Sequence, residues 1–243
     1  MQAMLDLDEH HWWYRGRRKI VGSELERLEI PPGAVILDAG CGSGRMLQDL
    51  APYGEVHGIE LDSDAAAYAA ARGLGEVRVG KVEELPWDDV TFDLITSLDV
   101  IEHTADDRRA LAELRRVAKP GARLLLTVPA YPALWSLHDV ANHHYRRYSR
   151  PSLRLPAIES GWKVLRMTSF NSVLLPPAAL VRLAQRNRRP DSDYTPELKL
   201  GPTWLNGLLE RPLGIEARWL GRGRTLPAGL SLMAVLENAG PAA

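Results

Sequence analysis

The chain has 243 residues, of which 45% are hydrophobic and 25% charged, as expected of one globular domain or one domain with an embellishment. Its single cysteine, Cys41, excludes an internal disulfide and a cysteine-based zinc cluster. The net charge of −1 conceals an asymmetry: Asp38 to Asp107 holds 16 acidic residues against four basic ones, a block of −12 that disfavours nucleic-acid binding by the central region, and the remainder carries +11.

Charges appear too early at the N-terminus for a signal peptide, which leads to the expectation of a cytoplasmic protein. The stretch HHWWYRGRRK, residues 10 to 19, is followed by Ile20, Val21, Leu25 and Leu28 at helical spacing, so an N-terminal helix with a kink near Gly16 is expected. Ala34 to Leu37 reads as a buried strand, Gly44 to Leu50 as a helix and Glu55 to Ile59 as a second strand. Ser63 to Arg72 reads as a helix with Ser63 as its N-cap. Strands follow at Glu76 to Val79 and Phe92 to Ser97. A helix is expected over Asp106 to Ala118, stopped by Pro120-Gly121, and then a strand over Arg123 to Val128. Strands alternating with helices at this spacing specify an α/β fold, a mostly parallel sheet with helices on both faces.

Beyond Pro129 a helix is expected over Ser152 to Glu159 and strands over Trp162 to Phe170 and Leu230 to Asn238. Between these last strands lies an excursion, about 172–229, with helical stretches near Leu174 to Arg186 and Trp204 to Leu220. A long excursion in a compact domain usually has a function, here a cap over the ligand edge or an oligomer contact. Its most apolar run, Val173 to Leu183, is too short to cross a membrane and carries Arg182.

The strongest local signal is VILDAGCGSGR, residues 35 to 45. Gly40, Gly42 and Gly44 fall in the turn between the first strand and first helix, where glycine permits a sharp turn and close approach of a ligand. Their G-x-G-x-G spacing differs from the G-x-G-x-x-G of nicotinamide folds, and no P-loop lysine is present. Asp38 before the loop suits a cationic ligand, and Glu60 at the end of the second strand suits a ribose.

VILDAGCGSGR, HGIELD, VGKVEELPW, FDLITSLDVIEH and RRVAKPGARLLLTVP, in that order over Ala34 to Pro129, resemble class I S-adenosylmethionine-dependent methyltransferases, the small-molecule group that includes ubiquinone-pathway O-methyltransferases. The resemblance implies a Rossmann-like seven-stranded sheet ending in an antiparallel pair. It implies one methyltransferase domain over 1–243: an N-terminal helical lid (1–30), a cofactor-binding core (34–129) and an acceptor-side half (130–243). S-adenosylmethionine is the implied cofactor, with S-adenosylhomocysteine as product. Asp38, Gly40, Gly42 and Gly44 would surround its methionine part, Glu60 would hold the ribose, and Leu61 would lie beside the adenine. Lys81 stands where the family often has an acid facing the adenine, so the backbone of Lys81 and Val82, or Glu83, would substitute. Ser97 and Leu98 would border the transferred methyl group.

Three histidines are candidates for proton transfer: His103 first, then His138 and His143. Asp99, Glu102 and His103 match the acid-x-x-Glu-His stretch that ubiquinone-pathway enzymes associate with a divalent metal. No metal is assigned here, since this local trio lacks an evident fourth ligand. Tyr131, Trp135, Tyr145 and Arg146, after the fifth strand, would line an acceptor pocket suited to a flat or anionic molecule. Trp12 and Trp13 would either close over that pocket or pack the first helix on the sheet. The expected activity is methyl transfer to oxygen or nitrogen of a small molecule, by a protein compatible with a homodimer. A nucleic-acid methyltransferase and a non-catalytic cofactor-binding regulator are the alternatives.

Overall fold

The computed structural model describes residues 9–185 and 203–240. Seven strands form one sheet in the order β3-β2-β1-β4-β5-β7-β6. They are β1 Ala34–Ala39, β2 Gly54–Glu60, β3 Gly75–Val79, β4 Phe92–Leu98, β5 Ala118–Pro129, β6 Trp162–Phe170 and β7 Ser231–Asn238. All neighbours are parallel except β7, which runs antiparallel between β5 and β6. The strand order reverses between β1 and β4, and their carboxyl ends open the crevice where such sheets bind ligands.

The helices are α1 Trp12–Leu25, α2 Arg45–Leu50, α3 Ser63–Ala71, α4 Asp107–Val117, α5 Leu137–Ala141, α6 Arg150–Glu159, α7 Leu175–Gln185 and α8 Thr203–Gly221. Alternation along the strands sends neighbouring side chains to opposite faces. Leu37, Ile95, Leu124 and Leu126 join Leu111, Leu114 and Leu153 beneath α4 and α6. Ile36, Leu94 and Leu125 join Ile20, Val21, Leu25, Leu47, Leu213 and Leu220 beneath α1, α2 and α8. Both faces are therefore dry, with about 1.5–3 kcal/mol per fully buried aliphatic side chain favouring the layered arrangement. Of the expected excursion, residues 186–202 lie outside the described residues, as do residues 1–8 of the expected N-terminal segment.

Three local expectations are corrected. Asp62, not Ser63, caps α3: its carboxylate accepts the N–H groups of Asp64 and Ala65, both at 2.9 Å. Helix α1 runs through Gly16 without a break, and that glycine serves packing instead. A Cβ there would collide with Leu213 Cδ1 and lie 2.8 Å from Leu213 Cβ, so its absence lets α8 approach. Finally, α4 does not need Pro120-Gly121 as a stop. Its last carbonyls, on Arg116 and Val117, accept from Val90 and Thr91 N–H at 3.0 and 2.8 Å, and the chain enters β5 at once. Pro120 and Gly121 fall in the register shift between β4 and β5.

Candidate active site at the carboxyl edge of the sheet

The glycine loop joins β1 to α2 with Gly40, Gly42 and Gly44 all left-handed, at φ of 81°, 53° and 76°. An L side chain is strained at each. The three have different surroundings. A Cβ on Gly40 would collide with Val100, and one on Gly44 would lie 2.8 Å from Ala69 Cβ. One on Gly42 would meet nothing within 4 Å, so the backbone there faces open space. Gly40 and Cys41 N–H both donate to Ile59 O, which ties the loop to the end of β2. Cys41 is buried, and burial with Asp38 and Glu60 nearby raises its thiol pKa, so it is a packing residue.

Glu60 closes this cradle. One carboxylate oxygen accepts Gly42 N–H at 2.8 Å, and the other accepts Leu61 N–H at 2.8 Å and Asp62 N–H at 3.1 Å. The carboxylate is thus held by backbone donors at the rim of the loop, with about one lone-pair site remaining. Asp38 is buried at the end of β1 and accepts from Thr96 Oγ1 on β4 at 2.6 Å. Leu61 is 65% exposed beside Glu60. Gly80 N–H donates to Glu60 O and brings the following turn alongside, with Lys81 exposed, Val82 buried and Glu83 half-buried. Ser97 and Leu98 are buried at the end of β4, and Ser97 Oγ has no hydrogen-bond partner among the described residues. These residues border one crevice across β1, β2 and β4.

Beyond β4 lies a polar cluster. Asp99 is left-handed at φ 58°, and its carboxylate receives Arg17 from α1 at 2.5 Å and Thr127 Oγ1 at 3.2 Å. Glu102 is buried, and neither of its carboxylate oxygens has a hydrogen-bond partner among the described residues. Burial, with the nearby Asp99 charge, raises its pKa well above the carboxylate range. The His103 ring lies edge-on to His144, centroids 4.6 Å apart. Desolvation and the neighbouring His144 lower the His103 pKa. His144 Nδ1 lies 3.0 Å from Asp139, whose carboxylate also receives Arg147 at 2.7 Å and the Ser136 N–H at 2.9 Å. Burial alone would raise the Asp139 pKa, but His144 and Arg147 outweigh it and hold it at about 2. An ionised carboxylate only accepts, so Nδ1 of His144 donates and Nε2 remains for another partner.

The other sequence candidates divide. His138 is half-buried, its ring 6.5 Å from that of His144, and burial with Arg182 nearby lowers its pKa to about 4. His143 is exposed, in a left-handed turn at φ 56°. Tyr131, also left-handed at φ 59°, and Trp135 flank a 3-10 turn over Pro132–Leu134. Tyr145 is 60% exposed, and its N–H donates to Glu102 O. Arg146 does not present an open fork to an acceptor: it holds Thr104 O, Ala105 O and the Asp107 carboxylate at the start of α4. Trp13 stacks on Phe170 at the end of β6, centroids 6.0 Å and planes 9° apart, and Trp12 packs on the same apolar cluster. His11 caps α1 by accepting Trp13 N–H. The sequence reading missed Arg17, Asp139 and His144. The pairing of His143 with His144 was visible, but which ring turns inward depends on the left-handed turn at His143.

Glu102, His103 and His144 each offer a ligand atom, all within 4.8 Å of one another. Asp99, the first member of the sequence trio to which no metal was assigned, is not among them and is held by Arg17 instead. The unpartnered oxygens of Glu102, a neutral His103 and an oriented His144 suit a divalent cation.

A doubly wound sheet with a glycine turn and a ribose-type carboxylate at its switch point defines a nucleotide-cofactor fold. A family profile described as a methyltransferase domain matches residues 37–126. A protein of Encephalitozoon cuniculi named as a methyltransferase is 35% identical over 154 residues, covering 54% of this chain and 71% of that protein. The ubiquinone biosynthesis O-methyltransferase of Xanthomonas oryzae pv. oryzae is 30% identical over 145 residues, covering 52% and 60%. Among solved structures, a chain of the complex between the Haloferax volcanii Trm112 methyltransferase activator and a methyltransferase superposes with a TM-score of 0.64. It does so at 19% identity over 98% of this chain and 94% of that one, a likeness of fold. The chain belongs to the class I S-adenosylmethionine-dependent methyltransferases. It spans only part of several curated relatives, 60% of the Xanthomonas enzyme and 34% of a 37.1 kDa protein in a Streptomyces fradiae transposon. The cofactor of this family is S-adenosylmethionine. Glu60 offers a carboxylate at the rim of the loop, and the backbone at Gly42 has open space beside it.

Proposed function

We propose that the chain transfers a methyl group from S-adenosylmethionine to an oxygen or nitrogen of a small-molecule acceptor, flat or anionic in character. The observation that carries this reading is the adjacency of two sites at the sheet's carboxyl edge. The Gly42–Glu60 cradle follows β1 and β2, which lie on one side of β4 in the sheet, and the Glu102–His103–His144 cluster is drawn from the segments that follow β4 and β5. When bound, the cofactor supplies an electrophilic methyl on a sulfonium with a neutral leaving group. The protein's main task is alignment, which can supply most of the acceleration. Glu60 would fix the ribose, the open face of Gly42 would admit the methionine part, and Ser97 and Leu98 would border the methyl group.

An acceptor hydroxyl or ammonium must lose a proton, and His103 is the first choice to take it: burial and His144 keep its ring neutral with a lone pair available, as a weaker base than an ordinary histidine. A second reading is favoured by the unpartnered oxygens of Glu102. With Glu102, His103 and His144 holding a divalent ion, that ion would lower the pKa of the acceptor hydroxyl. Tyr131 and Trp135 would wall the acceptor side, and His138 would serve as an inner polar group. Names of relatives support a small aromatic acceptor: the Xanthomonas protein is named for ubiquinone biosynthesis, and a Bacillus cytotoxicus relative, 28% identical over 150 residues, is named demethylmenaquinone methyltransferase.

The test is calorimetry with S-adenosylmethionine, S-adenosylhomocysteine and NAD, followed by labelled methyl transfer to catechols, phenols, aromatic acids, amines and tRNA, with and without added divalent metal. Binding of S-adenosylhomocysteine and transfer to a small molecule are expected. Binding of NAD alone, or transfer to tRNA alone, overturns the proposal. Activity that disappears with a chelator and returns with metal selects the second reading.

A further inference from the structure

Helix α8 has two faces of opposite character. Leu213, Ala217 and Leu220 are buried against α1 and the sheet. Both of its acids also turn inward: Glu210 receives Arg15 and Lys19, and Glu216 accepts the N–H groups of Asn171 and Ser172. The outer face holds Trp204, Leu208, Arg211, Ile215, Arg218 and Trp219 at three- and four-residue steps, one stripe along the helix. Its apolar members are exposed by 71% at Trp204, 51% at Leu208 and 65% at Ile215. The stripe contains arginines and no acid, and Arg224 stacks its guanidinium over Trp219 at 4.2 Å.

Helix α7, before it, repeats the composition. Val173, Leu180 and Val181 are exposed around it, and the sequence from Asn171 to Arg189 has four arginines and no acid. A solvated helix normally faces water with charges of both signs, and exposed apolar surface of this extent marks an interaction site. The sign of the charge identifies the occupant: apolar and aromatic side chains interleaved with arginine match the interface of an anionic bilayer. None of the helices among the described residues is long and apolar enough to cross a membrane.

We propose that the outer stripe of α8 is a peripheral docking surface for an anionic lipid bilayer. Trp204, Leu208 and Ile215 enter the headgroup region, while Arg211 and Arg218 pair with lipid phosphates. The shallow groove between α1 and α8 is lined by Lys19, Glu210, Arg211, Ile215 and Arg218, and its one acid, Glu210, is already paired with Arg15 and Lys19, which leaves Arg211 and Arg218 for a headgroup. This goes beyond methyl transfer and does not depend on it.

The experiment is flotation of the full chain with vesicles of pure phosphatidylcholine and of phosphatidylcholine mixed with phosphatidylglycerol. Binding to the anionic vesicles, weakened by salt, is expected. Each basic group near an anionic surface is worth about fivefold, so Arg211→Gln with Arg218→Gln should weaken binding about 25-fold. Ile215→Glu should abolish it while circular dichroism stays unchanged, because the position is exposed. Brominated lipids should quench tryptophan emission, and Trp204→Phe should reduce that quenching. Absence of binding to anionic vesicles, or binding that Ile215→Glu leaves intact, overturns the proposal. A dimer by sedimentation that Ile215→Glu splits, with no vesicle binding, overturns it too and assigns the face to a second copy.

Discussion

Replacing Glu60 with alanine is the most informative change at the cofactor cradle. In the structure its two oxygens accept three backbone N–H groups, from Gly42, Leu61 and Asp62. In the complex its remaining lone-pair site would accept a ribose hydroxyl. Hydrogen bonds to a charged group contribute about 1.5–3 kcal/mol each. Losing one near the middle of that range costs about 2 kcal/mol, or about 30-fold in Kd. The three N–H groups lie at a half-exposed rim where water can replace the carboxylate, so the melting temperature should fall by only a few degrees. Glu60→Gln should also weaken binding, because its amide nitrogen must face N–H donors on one side or the other. Titration calorimetry with S-adenosylhomocysteine measures the effect, alongside thermal unfolding of each variant. A folded Glu60→Ala protein that binds within about threefold of the parent would falsify the ribose assignment.

Four further outcomes are expected. Gly16→Ala gains about 1 kcal/mol in helix propensity but forces a Cβ onto Leu213, where overpacking costs about 1–3 kcal/mol; net destabilisation in urea is expected, and a more stable variant refutes the close approach of α1 and α8. Asp139→Ala strands the buried Arg147 guanidinium, so a loss of about 3–5 kcal/mol should appear in the same assay. The depressed Asp139 pKa of about 2 against an ordinary 3.8 makes its contribution, about 2 kcal/mol, present above pH 4 and lost as pH falls toward 2; acid titration should show a transition there that Asp139→Asn lacks. His103→Ala should lower kcat about 100-fold without changing S-adenosylhomocysteine affinity, and unchanged turnover would remove both the base and the metal-ligand role.

What was legible in the sequence had a period or a steric rule behind it. Strand β6 over Trp162–Phe170 was placed to the residue, and β1, β2 and β4 to within two; the apolar runs of β1 and β4 mark strands buried on both faces, whereas β6 is a half-exposed edge strand. The glycine loop was legible because three left-handed positions in five residues leave few alternatives to glycine. What escaped was set by partners distant in sequence. The end of α4 depends on Val90 and Thr91 meeting its last carbonyls, and Gly16 reads as a kink until Leu213 is beside it.

The same reasoning resolves HHWWYRGRRK. Its charges and rings looked like one device, yet the structure assigns them to separate tasks. His11 caps the helix, Trp13 stacks on Phe170, Gly16 admits α8, and Arg17 alone reaches Asp99 beside the candidate site. A helix attached at so many points behaves as a wall of the fold. Any closure over an acceptor would have to break the Trp13–Phe170 stack, the Gly16–Leu213 contact and the Arg17–Asp99 ion pair together. If α1 influences methyl transfer, the route open to it is Arg17. Arg17→Met keeps the aliphatic stem but releases Asp99, and should alter turnover while leaving helix packing and cofactor affinity as they are.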